Sequence, residues 1–520
     1  MALGGCSSKD ASSGDQDLAS TGVDFDEEYD VVVVGSGLAG LATAVTVGTE
    51  GDGATCLLLE KSDSPLGGGN SAFSGGMIMT TDNYDDCLEY VKALRGENET
   101  VSDAICEAYV REAMEHANWL RSLGAPDDFY VSYEDPDGFC QGVYKYDAEY
   151  TELDPNASVH GIRFNPDNPD GLTHVIKFLS AKADELADVI TRKTKAPAVR
   201  LIQDPVSCAI EGVTYLDGNK EVNVRANKGV VMCCGGFENN PEMMANYFKA
   251  YGCHPAAAVH NTGDGIRMGA WVGGAIDEAP HCPMYFDEGV EGLEHMPSIP
   301  LTRQPWLYLN DLGERFCNES GTYDFILHAD ASQPGNIHVC LWDADWQTYA
   351  QQFDMHGCSR MFPFDNGAAP NLPIEVVTAM NEEALKAGHI QQADTIEELA
   401  EKLGLPAEAL AKTVERNNQN YDNQRDDDFG KEPFRLSPVR KPPFFGVRTT
   451  GALLCTMDGI VINTQGQALR EDGSAIEGLY VTGNDSGGYY SMTYPNLSTG
   501  NACGRTVTFA RMIAQNLAAQ

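Results

Sequence analysis

Basic side chains are scarce in this sequence. Among 520 residues there are 35 Lys and Arg against 77 Asp and Glu, a formal net charge of −42. Binding to nucleic acid needs a basic face that displaces counterions from phosphates, and a chain this acidic does not supply one. Docking on an anionic membrane surface is excluded on the same ground. No unbroken apolar run of about 18 residues occurs, so no segment is suited to cross a bilayer as a helix. The 15 cysteines include no C-x-x-C pair and only one adjacent pair, Cys233 and Cys234. Zinc or ferredoxin-type ligand spacing is therefore missing, and most cysteines read as small buried side chains of a reduced protein. Disorder does not explain the acidity, because 42% of residues are hydrophobic, enough for a large core. The length predicts two or three domains.

The N-terminus is unusual. Leu3-Gly4-Gly5-Cys6 resembles a bacterial lipobox, and a polar tether of Ser, Asp and Gly follows to about Glu28. No basic region or long apolar region precedes it. Two readings follow: an exported chain at the cell envelope whose Cys6 carries lipid, or an ordinary polar tail on a cytoplasmic protein.

The first structured segment is the most informative. Tyr29-Asp30 leads into Val31 to Val34, an apolar run suited to a buried parallel strand. Gly35-Ser36-Gly37-Leu38-Ala39-Gly40 follows, then an Ala- and Val-rich helix to about Thr49 and a second strand, Thr55 to Leu59, ending at Glu60. Gly35 permits the tight turn, Gly37 lets the backbone approach a pyrophosphate, and Gly40 lets helix pack on strand. The helix N-terminus, with Leu38 and Ala39, offers N–H groups and a positive dipole end. Glu60 stands twenty residues beyond Gly40, where an acid accepts ribose hydroxyls. A second glycine-rich stretch, Gly67-Gly68-Gly69-Asn70-Ser71 and then Ser74-Gly75-Gly76, directly follows Glu60-Lys61. That suits a bulky flavin better than a nicotinamide. Two more buried strands break at glycines, one at Cys233-Cys234-Gly235-Gly236-Phe237 and one at Thr482-Gly483-Asn484-Asp485.

These pieces resemble the FAD flavoproteins typified by soluble fumarate reductases and 3-ketosteroid Δ1-dehydrogenases. The matches stand in family order over residues 29–515: the Gly35 to Gly40 loop, Gly68 to Ser71, Val230 to Phe237, and Asn261-Thr262-Gly263-Asp264-Gly265. Leu309 to Glu319 (containing Arg315-Phe316-Cys317-Asn318-Glu319), Gly478 to Gly483 and Gly504 to Phe509 complete them. The resemblance implies an α/β fold: a Rossmann-like FAD-binding domain split in sequence, with an inserted α+β capping domain. The expected limits are a tether over 1–28, the FAD-binding domain over 29–275 and 441–520, and the cap over 276–440. The cofactor-binding set it implies is Gly35, Gly37, Leu38, Ala39, Gly40, Glu60, Lys61, Gly68, Gly69, Asn70, Ser71, Gly75, Gly76, Gly235, Gly236, Asp264, Gly483, Asn484, Asp485 and Gly500. In the cap, Asp394-Thr395-Ile396-Glu397 reads as a helix start and Gly404 as its stop. Pro406 opens a second helix, Asp426-Asp427-Asp428 reads as a solvated loop, and Pro442-Pro443 marks the return to the FAD domain.

Asp52-Gly53-Ala54-Thr55 is only superficially like a covalent flavin attachment motif, since Thr55 begins a buried strand and Thr49 replaces the upstream acid. The FAD is therefore expected to be non-covalent, and electrons to come from a separate donor protein or a free reductant. An iron–sulfur cluster, with which one reductase-type relative is associated, stays open as a second cofactor, although no motif for it stands here.

The chain departs from the fumarate reductases where they grip two carboxylates with arginines and histidines. By motif counting those places hold Tyr323, Leu497, Cys455 and a residue near Tyr285, all without charge, so a dicarboxylate substrate is not expected. Tyr494-Pro495 is similar to the element whose tyrosine hydrogen-bonds the ketone in ketosteroid dehydrogenases, though Asn496-Leu497-Ser498 replaces its Gly-Pro-Gly. Tyr323 stands where the family has a proton-handling tyrosine. A phenol with pKa near 10 can polarise a carbonyl without bringing charge into an apolar pocket, and can exchange a proton beside it. Tyr494, Tyr323, Tyr285, Arg303 and Arg505 are the catalytic candidates, with no metal among them. The expected activity is reduction of an activated carbon–carbon double bond (enone, enoate or unsaturated lactone) by hydride from reduced FAD. A cardiac-glycoside-reductase-like activity lies within that range. A ketosteroid-type dehydrogenase running the reverse reaction and a flavin electron-transfer subunit are the alternatives.

Overall fold

The computed structural model describes residues 22–64, 69–72, 74, 78–81, 83–95, 101–125, 159–162, 174–248, 254–255, 258–277, 283–291, 299–321, 326, 328–330, 332–350, 352–353, 374–490, 494 and 500–520. The apolar run after Tyr29 forms the end of strand β1 (Glu27–Val34). Val31, Val32 and Val33 are fully buried, as a strand covered on both faces requires. Helix α1 (Leu38–Glu50) carries the chain over to β2 (Cys56–Leu59), which pairs with β1 in parallel. The small residues of α1 let it lie close to the sheet, and Leu38 through Val47 are all buried.

The first sheet has eight strands among the described residues. Beside β2 lies β3 (Ile190–Lys193), also parallel. On the other side of β1 lies a hairpin. Strand β4 (Ala198–Gln203) pairs with β5 (Ile210–Asp217), and β5 turns at Gly218 into β6 (Lys220–Met232). The stretches Glu221–Arg225 and Gly229–Met232 belong to this one strand. Its first half alternates between exposed and buried residues and its last four are buried, so it changes from hairpin partner to central parallel strand without a break.

Across β6 from β1 lies a strand from much later in the sequence, reached through a second sheet. Helix α2 (Asp264–Trp271) follows the first sheet's central strand. The second sheet then comprises β7 (Pro283–Val290), β8 (Leu307–Leu309), β9 (Ile337–Trp342), β10 (Gln391–Ala393) and the long β11 (Phe444–Thr456), with His254–Pro255 added at one side. Helices α3 (Ile396–Leu403) and α4 (Ala407–Asp422) pack beside it. Thr395 caps α3, its hydroxyl accepting from the Glu398 N–H, and Gly404 closes the helix in the left-handed region. The chain then rejoins the first sheet through β12 (Gln467–Leu469) and β13 (Ala475–Val481), with β13 parallel to β6. The strand after Pro442-Pro443 belongs to the second sheet, and the chain rejoins the first sheet at Gln467. The final helix, α5 (Asn501–Ala518), packs Val507, Ala510, Ile513 and Leu517 into the same core as Leu41 and Val45 of α1.

The acidic run at 426–428 is not simply a solvated loop. Asp426 is buried, and the Arg315 guanidinium donates to both its oxygens at 3.0 and 2.9 Å. Arg315 also donates to both oxygens of Glu319, at 2.8 and 2.7 Å. Lys431, itself buried, lies 3.4 Å from Glu319 and donates to the carbonyls of Pro305 and Trp306. Two cations and two anions thus neutralise one another inside the second sheet's core. A charge run in sequence reads as solvated when its partner, here Arg315, lies 111 residues away.

Candidate functional site

Four parallel strands, β1, β2, β6 and β13, end at Val34, Leu59, Met232 and Val481. A cleft opens directly beyond these carboxyl ends, where open α/β sheets bind ligands. It is lined by Gly35 to Ala39, Glu60, Lys61, Gly69 to Ser71, Cys233 to Gly235 and Gly483-Asn484, among others.

The residues fit FAD. A Cβ on Gly35 would lie 2.2 Å from the Cys233 carbonyl oxygen, and Gly35 has φ +104°. A Cβ on Gly40 would lie 1.8 Å from the Gly35 carbonyl oxygen. Neither position accepts a side chain without moving backbone. Gly37 is the N-cap of α1, with no side-chain cap and no acid in the first turn. The positive end of the helix is left open to an anion, which suits a pyrophosphate. Glu60 is buried at the end of β2, where its carboxylate accepts from Ser36 N–H at 3.0 Å, Ser36 Oγ at 2.9 Å and Ser62 N–H at 2.8 Å. Those bonds aim it along the cleft wall. Lys61 donates to Asp264 at 2.7 Å and to Thr262 at 2.8 Å, so the expected pair Lys61 and Asp264 closes one side. Ser71 Oγ accepts from Leu38 N–H at 3.0 Å and joins the second glycine-rich stretch to the first. Asp485 is fully buried, with Oδ2 accepting from Cys234 N–H at 2.6 Å and Oδ1 without a partner among the described residues. Burial pushes its carboxyl up to about 7, against the pull of that N–H. An orphaned carboxylate oxygen beside the cleft is suited to a sugar-alcohol hydroxyl.

Away from Glu60 the wall changes character. Met284, Leu454, Cys455, Ala502 and Cys503 line it, together with Asn70, Asn261 and Asn484. Burial pushes the Cys455 thiol well up and the Cys503 thiol up to about 11, so both stay neutral. Helix α5 presents its N-terminus here. Its N-cap Gly500 brings no side-chain cap, its first turn holds no acid, and Ala502, Cys503 and Thr506 face the cleft. Negative charge at this end would be stabilised by the helix.

Gly236 does not line the cleft. It packs beneath Thr456, whose Oγ1 would lie 2.2 Å from an added Cβ. Gly68, Gly75, Gly76 and Tyr323 lie outside the described residues, as do the side chains of Tyr285 and Arg303. Tyr494 is buried behind the wall, and the N–H of wall residue Ala502 donates to its hydroxyl at 3.4 Å. It stacks edge-on against Tyr490 at 5.5 Å, and Tyr490 against Tyr489 at 4.7 Å. Arg505 is buried but not on the wall. Its Nη atoms donate to the carbonyls of Met457 at 3.2 Å and Ser486 at 2.6 Å, and it lies over the Tyr489 and Tyr490 rings. Arg505 thus holds the tyrosine cluster to the chain around Met457.

Three residues of this region escaped the sequence reading as site residues: Ser36, Asn261 and Glu238. Glu238 is buried and accepts from Asn70 and Asn261 on one oxygen and from Thr456 on the other. The available signal was an acid directly after the Gly-Gly-Phe break of a buried strand, the same position logic that singles out Glu60. Among the described residues no group of three or more His, Cys, Asp or Glu could hold a metal, and no helix is long and apolar enough to cross a membrane. Cys208 is disulfide-bonded, so the reduced state does not extend to every cysteine.

Known proteins share this construction. The chain is 29% identical to a vinyl phenol reductase of Lactiplantibacillus plantarum, over 91% of this chain and 92% of that one. It is 27% identical to a 3-oxosteroid 1-dehydrogenase of Mycobacterium tuberculosis, over 95% and 99%. Its fold matches the crystal structure of 3-ketosteroid delta1-dehydrogenase from Sterolibacterium denitrificans with a TM-score of 0.73 at 21% identity, covering 95% of this chain and 100% of that one. The family described as FAD binding domain matches residues 30–500. By that match the chain belongs to the FAD binding domain family, and it is an FAD-dependent oxidoreductase of the class acting on CH–CH groups.

Proposed function

We propose that this enzyme reduces an activated carbon–carbon double bond conjugated to a carbonyl or an aromatic ring, in a neutral or weakly polar substrate. The observation that carries this reading is the wall at the α5 end of the cleft. It offers a thioether, two neutral thiols, aliphatic carbons and amides, and no arginine stands among the described lining residues. Lys61, a cation of the cleft, is tied to Asp264 near the Glu60 end. A dicarboxylate placed at the α5 end would be desolvated without charge-assisted partners. Bound FAD in its reduced form supplies the hydride. Charge that builds on the conjugated group is met by the N-terminus of α5 and by the Tyr494 side of the wall. Tyr323 or Arg303 gives the proton to the neighbouring carbon. The relationship to the vinyl phenol reductase supports a substrate of this class.

A ketosteroid-type dehydrogenation is the second reading, favoured by Tyr494-Pro495 and by the relationship to the 3-oxosteroid 1-dehydrogenase. The electron source is proposed to be a separate donor protein, and Cys6 a lipid-bearing residue of an exported chain. The substrate is proposed to sit between the FAD-binding part and a cap that runs from about 276 to the end of β11.

The test is anaerobic. The holoenzyme's flavin is pre-reduced, and reoxidation is followed with enones, enoates, unsaturated lactones and vinyl phenols. Reoxidation by at least one class is expected. If none reoxidises it while saturated ketosteroids bleach the oxidised flavin, the second reading replaces the first. Tyr494→Phe is expected to keep FAD bound and to slow turnover by roughly 10²-fold or more; unchanged turnover removes Tyr494 from the chemistry.

A further inference from the structure

Glu238 sits immediately after the glycine break of β6 and is 3% exposed. Its Oε1 accepts from Asn70 Nδ2 at 2.7 Å and Asn261 Nδ2 at 2.5 Å. Its Oε2 accepts from Thr456 N–H and Thr456 Oγ1, each at 3.2 Å. The Thr456 hydroxyl also accepts from Phe237 N–H at 2.8 Å, which leaves its own proton for Glu238. Every contact to the carboxylate is thus a donor. Three of the four, the Asn70 and Asn261 amide NH2 groups and the Thr456 N–H, can only donate, so the arrangement favours the anion. Among the described residues it has no ion-pair partner, and its charge is met by neutral dipoles alone. Burial pushes its carboxyl up, and these hydrogen bonds oppose that rise.

The position of this charge matters. Asn70 and Asn261 line the cleft, and so do Leu454 and Cys455, which directly precede Thr456. The α1 N-terminus and Glu60 occupy the nucleotide end, so the redox-active ring of FAD falls toward Asn70, Cys455 and α5. Two-electron reduction of bound FAD by an external reductant, with uptake of one proton from solvent, adds one unit of negative charge to it. A fixed anion behind that wall opposes the gain, in a medium that screens it far less than water does.

We propose that Glu238 is an electrostatic tuning residue that holds the reduction potential of the bound FAD down, which makes the reduced cofactor a stronger hydride donor. It acts through Asn70 and Asn261 and touches no reacting atom. The test is a spectroelectrochemical titration of the holoenzyme with dithionite against a reference dye. Glu238→Gln and Glu238→Met remove the charge with two different shapes, and Glu238→Asp keeps it. The neutral variants are expected to shift the reduction equilibrium toward reduced FAD by about tenfold, which is about 30 mV upward for a two-electron couple. Glu238→Asp is expected to stay near the wild-type potential. No upward shift in a neutral variant that holds FAD overturns the proposal. So does an equal upward shift in Glu238→Asp, because shape and not charge is then at work. If neither neutral variant holds FAD while Glu238→Asp does, the charge serves binding, and the proposal also falls.

Discussion

Two of this molecule's buried carboxylate sites are solved in opposite ways. In the second sheet, Glu319 and Asp426 share Arg315, with Lys431 close by. Burial pushes the Asp426 carboxyl up, but Arg315 and the N–H groups of Lys431 and Asp428 more than reverse this and hold it down at about 2. Lys431 and Arg315 likewise hold Glu319 below the usual range against its burial. At the cleft wall, Glu238 has amides and a threonine instead of cations. The first site is electrically closed, and its charges cancel within the core. The second is open, and its field reaches the cofactor cleft. A protein that wants only a rigid cap closes its charges; one that sets a cofactor's environment leaves one uncancelled.

The comparison breaks most sharply at Arg315. Arg315→Met leaves two buried carboxylates against one lysine and is expected to cost about 3–5 kcal/mol, read as a lower unfolding midpoint in urea. A change below about 1 kcal/mol would mean that the cluster is wetter than its burial implies. Glu238→Gln should cost less, about 1–3 kcal/mol, because it strands one or two donors but no charge. If it unfolds the protein as readily as Arg315→Met, the distinction between the closed and open sites is wrong. The smallest effect is in acid. His116 is buried between the Met79 carbonyl at 2.8 Å and the Thr508 hydroxyl at 3.0 Å, and burial pushes it down to about 3. It is neutral when folded but takes a proton near pH 6.5 when unfolded, so its stabilisation is full above about 6.5 and is lost as pH falls toward 3. Asp426 contributes stability above its unfolded pKa near 4, lost only as pH falls through about 2. Asp485, pushed up to about 7, contributes the opposite slope over nearly the same window, so the His116 contribution is read by difference: as pH falls from about 6.5 toward 3, the melting temperature of His116→Gln should drop less than that of the parent protein.

Much of the nucleotide end was legible because its signals are local. Gly35, Gly37, Gly40 and Glu60 lie within 26 residues, and each is forced by a turn, a close approach or a strand end. The glycine-broken strands at Gly235 and Gly483 could be read as edges of the same site because apolar runs ending in glycine mark strand ends in any parallel sheet. What was hidden depends on pairs far apart in the chain. Asp426 meets Arg315 across 111 residues, and Glu238 meets Thr456 across 218. No periodicity encodes such a meeting, so an acidic run read as solvent-facing, and Glu238 went unweighed. The sheet that takes strand Phe444–Thr456 was hidden for a similar reason: the paired prolines mark a turn but not which sheet receives the chain.

Strand β6 has as its two parallel neighbours β1, among the first elements made, and β13, among the last. The pairing Leu479 to Val230 spans 249 residues. At roughly 5–20 residues per second of synthesis, a growing chain waits on the order of ten to fifty seconds between making β6 and making the strand that covers its other edge. The cleft wall at Gly483 and the helix α5 appear only then. A chain stopped shortly before β13 would lack that wall and leave an unpaired edge of β6 open to pairing with another copy.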